Sequence, residues 1–292
     1  MTTEQEPVEL GPDDAPPPWP QRARVLGELG VLWLVTLLAI RLVTIVQAWI
    51  PAFGVAGFQL RDLVLAAVPF CFIYAPVYLC QWRGADSYAY RVAIPALDDR
   101  DAWRRAGSLA GAIILLTLVP YVVGFHLYQN FAAALLDATG RIRDADDVAR
   151  LVGHLARLDF LGPDPWRTLT TTLQPRWRLP EDAALLLPYH LFYVALPEEF
   201  FYRGYFQTRL NEVFPRRWRV FGAQLGPGLV IASLFFAFGH SLVTLRWWHF
   251  ATFFPGLVFG WMRERTGGTA AGALFHAYAN ISVSLLNAAW LG

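Results

Sequence analysis

The sequence has no lysine and only two cysteines. Cys71 and Cys80 are nine residues apart in one apolar run, about 13 Å along a helix axis, which is too far for a disulfide. A disulfide framework is therefore excluded. Charged residues make up 16% of the 292 residues and the net charge is +1. Because phosphate binding needs a basic surface, no nucleic-acid partner is predicted.

Residues 1–25 are acidic and rich in proline, without a basic stretch before a short apolar core. We expect a disordered tail there rather than a signal peptide. The all-arginine composition is typical of a bacterial protein, and the bacterial cytoplasmic membrane is the expected location.

Long apolar runs dominate the rest of the chain, which is 55% hydrophobic. Runs of about 18–22 residues have the length of a transmembrane helix. The segments are 29–50, 63–82, 107–128, 183–206, 222–243, 247–262 and 269–291. They predict an all-α, polytopic transmembrane bundle of about seven or eight helices with a polar intramembrane cavity. We divide it into residues 26–182, with N-terminal helices and a long loop, and a transmembrane core at 183–292.

Arginines cluster in alternate loops between these segments, which places the N-terminus in the cytoplasm. The loop of about 54 residues between the third and fourth spans then lies outside the cytoplasm. Apolar residues recur in it at helical spacing, which predicts an amphipathic helix that packs on the bundle or serves as a lid or a guide for a bound molecule. They are Val148, Leu151, Val152, Leu155 and Leu158.

Two adjacent carboxylates, Glu198 and Glu199, follow the apolar run 183–196. Ionisable groups at membrane depth are expensive and are candidates for function. Arg203 is four residues after Glu199, on the same helix face, and is the expected partner. The alternative is a helix end at the cytoplasmic surface with solvated charges.

Three more polar residues interrupt later apolar runs: His240, His276 and Asn280. His276 and Asn280 are one helical turn apart and share a face. When depth is counted from the helix ends at about 1.5 Å per residue, Glu198 and His276 lie at the same level of the membrane. His240 joins them if its helix starts after Pro227-Gly228, whereas a start at Gly222 places it near the outer end of its helix.

These residue types suit water-mediated hydrolysis. A buried glutamate is a suitable general base, a histidine can hold the water, and a second histidine with an amide can stabilise an oxyanion. No serine or cysteine has the context of a nucleophile. Alternatively, Glu198, His240 and His276 could bind a divalent metal such as zinc and leave a position open for water. The sequence does not decide between no cofactor and a metal.

Three motifs in residues 183–290 resemble those of the CAAX prenyl protease and bacteriocin-processing (CPBP) intramembrane proteases. They are Glu198-Glu199-x-x-x-Arg203, Phe236-x-x-x-His240 and His276-x-x-x-Asn280. The resemblance implies an endopeptidase in which Glu198 is the base and His240 helps to activate water. His276 and Asn280 would stabilise the oxyanion, and Glu199 and Arg203 would support the site.

The expected substrate is a membrane-associated precursor, such as a peptide precursor or a protein with a C-terminal hydrophobic sorting tail. The expected partners are thus this substrate and the lipid bilayer. A non-catalytic immunity or scaffold protein with the same fold is the alternative. A transporter with a Glu/His proton relay would show repeated broken helices, and the sequence shows none.

Overall fold

The computed structural model describes residues 17–50, 54–55, 58–59, 64–65, 67–84, 95, 98–139, 145–180, 183–215 and 218–291. Most of them are helical, as the all-α prediction requires. The helices are α1 (Trp19–Trp49), α2 (Ala67–Trp82), α3 (Arg100–Thr139), α4 (Ala145–Arg157), α5 (Pro165–Thr171), α6 (183–213), α7 (Pro227–Thr244), α8 (Phe253–Thr266) and α9 (Ala270–Leu291). Two antiparallel hairpins join β1 (Gly54–Val55) to β2 (Phe58–Gln59) and β3 (Trp218–Val220) to β4 (Ala223–Leu225).

Three helices are long and apolar enough to cross a bilayer: α1, residues 100–137 of α3, and α7. The shorter α2 is also apolar, with 16 residues. Among the described residues only these three meet both criteria, so the prediction of seven spans is confirmed for three of them. The apolar helices identify an integral membrane protein.

α1 begins at Trp19, so the last residues of the predicted 1–25 tail are helical and residues 1–16 of that tail lie outside the described residues. Proline in the first turn fits this start, because a first-turn residue needs no backbone N–H partner. Arg41, a charge inside α1, donates from Nη1 to the carbonyl of Val243 on α7 at 3.0 Å. The helix stays continuous past this arginine.

The predicted span 222–243 starts too early. Residues 218–225 form the β3–β4 hairpin, and α7 begins only at Pro227. Phe221 and Gly222, the two turn residues, have φ values of 45° and 78°, which is the conformation that closes a two-residue hairpin. The predicted span 247–262 is likewise split, because Trp247–Thr252 is a 3-10 turn before α8.

α6 is one helical run with two wide turns. The π-helical stretches Tyr189–Ala195 and Phe200–Gln207 flank the short α-helical stretch Leu196–Glu199. Such π segments are rare and occur often at functional sites. The two carboxylates of the sequence motif thus lie between them.

The chain divides into two compact units. The first comprises Met1–Ala110 and Pro188–Ala277, and it contains the polar motif residues of α6 and α7 together with His276. The second comprises Gly111–Leu187 and Tyr278–Gly292.

The second unit contains the long loop and the predicted amphipathic helix. α4 is that helix, and its side chains Val152 and Leu155 are exposed by 59% and 41%. His154, near its end, is 2.6 Å from a carboxylate oxygen of Asp159. This hydrogen bond lowers the pKa of Asp159.

A polar network inside the second unit binds this loop to α3 and α9. His126 Nε2 is 3.1 Å from the carbonyl of Thr170, and its Nδ1 accepts from the indole N–H of Trp290 at 2.9 Å. Asn130 Oδ1 accepts from the backbone N–H of Leu173 at 2.6 Å. α5 and the residues just after it are therefore fixed by side chains of α3.

Candidate active site

Glu199 and Arg203 form a pair in the interior of the first unit, and both side chains are fully buried. Arg203 Nη1 donates to Glu199 Oε1 at 3.1 Å, across one turn of α6. Its Nη2 donates to the carbonyl of Gly256 on α8, also at 3.1 Å. The guanidinium lies 4.2 Å from the ring centre of Phe236, a cation–π contact in a desolvated place.

The same pattern continues along α6 and α8. Polar side chains recur every four residues on α6, and α8 offers a partner every four residues. The further hydrogen bonds are Gln207 to the carbonyl of Gly260 (3.0 Å), Gln207 to Glu264 (2.8 Å) and Asn211 to Glu264 (2.7 Å). Glycine at 256 and 260 keeps the α8 backbone open to the side chains of α6, since small residues allow close helix approach in membranes. We call this set of contacts the polar ladder.

Glu199 also binds His276. The Nδ1 atom of His276 is 3.1 Å from Glu199 Oε1, and the imidazole stacks on Phe259 at 4.8 Å with a 14° interplanar angle. A carboxylate can only accept, so Nδ1 carries the proton and donates. This fixes the ring with its Nε2 atom towards Glu198.

Glu198 lies between the two histidines. Its Oε2 atom is 3.7 Å from His240 Nε2 and 3.9 Å from His276 Nε2. It has no hydrogen-bond partner among the described residues. His240 Nδ1 is 3.0 Å from the carbonyl of Phe236 one turn earlier, which makes Nδ1 the donor and turns Nε2 towards the carboxylate.

The exposed fractions differ within this cluster. The side chains of His240 and Glu198 are exposed by 28% and 14%, that of His276 by 6%, and those of Glu199 and Arg203 not at all. Glu198 and His240 thus face accessible space, whereas the other three form a sealed support behind them.

That space is a cavity of about 190 Å³ between α1, α2, α6 and α7. Glu198, Tyr202 and His240 form its polar side. Its other lining residues are Leu37, Ile40, Val68, Phe72, Gly239, Val243 and Thr244. The polar intramembrane cavity that the sequence predicts is therefore apolar on most of its walls.

Five of the six predicted site residues come together in the first unit: Glu198, Glu199, Arg203, His240 and His276. The later start of α7, at Pro227, brings His240 to this level, and of the two helix starts considered it is the later that occurs. Asn280 is on α9 one turn after His276, is half-buried, and belongs to the second unit. Its place in the site stays a prediction.

Sequence reasoning missed two parts of the site. One is the set of acceptors on α8, the carbonyls of Gly256 and Gly260. These two glycines are four residues apart, as Arg203 and Gln207 are on α6, and this matched spacing could have predicted the pairing of α6 with α8. The other is the apolar wall supplied by α1 and α2, for which the sequence carries no motif.

The donor set of Glu198, His240 and His276 is of the type that binds zinc. However, in the described ranges no group of three or more His, Cys, Asp or Glu side chains has an arrangement that could hold a metal ion. We therefore derive no step through a metal.

Fold and site together define a helical membrane protein with a buried Glu–His–Arg cluster beside an apolar cavity. Residues 180–282 match the family model described as type II CAAX prenyl endopeptidase Rce1-like. The match covers little more than a third of the chain and includes every predicted site residue. It confirms, for this segment, the resemblance to the CPBP and CAAX proteases. Members of this family are generally membrane proteases, which act on peptide or protein substrates. Comparisons with curated proteins and with solved structures gave no match.

Proposed function

We propose that the protein is an intramembrane endopeptidase that cleaves a membrane-associated precursor with a water activated by Glu198 and His240. One observation carries the proposal: Glu198 Oε2 lies 3.7 Å and 3.9 Å from the Nε2 atoms of His240 and His276, at the edge of a cavity. These separations are too long for direct hydrogen bonds, so the carboxylate and the two rings remain available to a water that enters from the cavity.

The tautomer of His240 explains why water fits there. With its proton on Nδ1, the ring presents a lone pair at Nε2 towards a carboxylate oxygen, which is also an acceptor. A water molecule can donate one hydrogen to each of these acceptors. Its oxygen then keeps a lone pair free for attack on a peptide carbonyl, and Glu198 takes the proton that leaves.

His276 is suited to the oxyanion that this attack forms. A ring that donates from Nδ1 to Glu199 donates from Nε2 as well when it is protonated. That second N–H points to the region in front of Glu198, where the carbonyl oxygen gains charge. In this proposal Asn280 adds a second donor, and Glu199 and Arg203 are positioning residues that act through His276.

The decisive experiment compares protein termini in membranes and secretions of cells that express the wild-type chain or Glu198→Gln at equal levels. The variant removes the base without changing its size. We expect one class of precursors to accumulate, with a shared cut site that names the substrate. Glu212→Gln, the same change at the exposed end of α6, is the matched control and should leave all termini unchanged.

Unchanged termini in Glu198→Gln cells, with a phenotype in cells that lack the gene, would refute catalysis and favour the immunity or scaffold function.

The role of metal is tested on the purified protein with an accumulated precursor. If Glu198 and the histidines hold the water without a metal, cleavage should continue in the presence of the metal chelator 1,10-phenanthroline. Loss of cleavage that added zinc restores would instead assign Glu198, His240 and His276 as metal ligands.

A further inference from the structure

The cavity beside Glu198 has a size that restricts its occupant. At about 190 Å³, it is smaller than the roughly 300–1,000 Å³ of typical small-molecule pockets. It is close to the roughly 150 Å³ of an apolar protein cavity that binds benzene. The space itself therefore takes up one apolar group about the size of an aromatic ring, and any longer occupant would extend beyond it.

Its chemistry restricts the occupant further. Ile40 and Leu37 on α1 are exposed by only 4% and 5%, and Phe72 on α2 by 7%. Together with Val68 they form a wall without polar side chains opposite Glu198 and His240. An occupant of this wall gains from burial of apolar surface and has no partner there for a charge.

We propose that the cavity holds one apolar side chain of the substrate, from a residue that flanks the bond to be cut, and that α1 and α2 set its permitted size. This inference rests on the proposed function, because Glu198 and His240 line the same cavity. The wall residues precede position 180, outside the segment that matches the protease family. The inference thus assigns the selectivity for the size of the substrate side chain to the N-terminal helices, in which the sequence shows no motif.

Binding is tested without catalysis. The full chain in lipid nanodiscs is irradiated with the tripeptide acetyl-Ala-photoleucine-Ala-amide, and cross-linked residues are mapped by mass spectrometry. We expect saturable labelling of the wall, abolished by excess acetyl-Ala-Leu-Ala-amide and retained in Glu198→Gln. Ile40→Trp fills the cavity and should lower this labelling about tenfold or more, the scale of a steric mismatch in an apolar pocket.

Leu38→Trp is the matched control, because Leu38 is two residues away on the same helix and is exposed by 60%. The Leu38→Trp protein should be labelled to the same extent as the wild-type protein. Labelling that is not saturable, or that is equal in Ile40→Trp and Leu38→Trp, overturns the inference.

A second measurement separates this inference from the proposed function. Ile40→Ala enlarges the cavity and should shift the residues that flank the cut sites towards Trp, which is larger than a single aromatic ring. If the termini depend on Glu198 but the Ile40→Ala profile equals that of the wild type, the inference fails and the protease function stands. If no terminus depends on Glu198, the protease function fails, while saturable labelling abolished by Ile40→Trp still supports an apolar side-chain site.

Discussion

At the scale of residues, the buried pair Glu199–Arg203 determines the geometry of the site. Neither side chain reaches solvent, and each has a second partner, His276 for Glu199 and the carbonyl of Gly256 for Arg203. A buried ion pair does not by itself stabilise a fold, because the cost of desolvation offsets the attraction. Replacement of one partner by a neutral residue, however, leaves the charge of the other partner buried without a counter-charge.

Arg203→Met should therefore destabilise the protein by about 3–5 kcal/mol. The double variant Glu199→Gln/Arg203→Met should recover a large part of this loss, because no charge is then left unpaired. The measurement is the free energy of unfolding in mixed micelles. Arg104→Met, at an exposed position of α3, should change it by no more than about 0.5 kcal/mol. Equal losses in the single and double variants would contradict the role of the pair.

Glu199→Gln alone tests the positioning role. Since Glu199 contacts His276 and is fully buried, its change should lower kcat by at least about tenfold, because a catalytic group misplaced by about 1 Å can cost about 10²-fold, with KM little changed. Both constants are measured with the precursor that accumulates in Glu198→Gln cells. A higher KM at unchanged kcat would instead place Glu199 in substrate binding.

At the scale of elements, the polar ladder joins α6 to α8 through glycine. A Cβ atom at Gly260 would clash with a methyl carbon of Leu229 and would lie 2.5 Å from Gln207 Oε1. At Gly111 on α3, it would meet no atom of the described residues within 4 Å. A side chain is thus sterically excluded at Gly260 on α8 but has room at Gly111 on α3.

Gly260→Ala should destabilise the fold by about 1–3 kcal/mol, the usual cost of overpacking. Gly111→Ala should be neutral or stabilise by up to about 1 kcal/mol, because alanine favours a helix. Thermal unfolding of the two variants in detergent compares them directly. A stable Gly260→Ala protein would show that α6 and α8 are not in tight contact.

Helices and their polar groups could be predicted from the sequence, because apolar length and the four-residue spacing of Glu199 and Arg203 are local signals. The start of α7 could not be chosen, since both Gly222 and Pro227 are compatible with a helix end. Tertiary pairing decided it, through the β3–β4 hairpin. The apolar wall was also unpredictable, because Ile40 and Phe72 look like any lipid-facing residues until their neighbours are known.

At the scale of the whole molecule, the orientation in the membrane is a prediction from the arginine distribution. In a background without Cys71 and Cys80, a cysteine at position 21 should react with a membrane-impermeant maleimide only after the cells are opened. A cysteine at position 146, on α4, should react in intact cells. Both native residues, Gln21 and Asp146, are exposed in the structure. The reverse pattern would place the N-terminus outside.

The four helices around the cavity are held by different kinds of contact. α1 is bonded to α7 through Trp33 and Arg41, and α6 is bonded to α8 through the ladder. For α2, the described residues show ring contacts of Phe72, and the ion pair of Arg83 with Glu28 lies just after its end. Pro76 also removes one backbone hydrogen bond in its middle, which eases bending. Among the described residues, α2 is therefore the one helix of the four that can bend without the loss of a side-chain hydrogen bond within Ala67–Trp82, and a bend at Pro76 would reshape the apolar wall of the cavity.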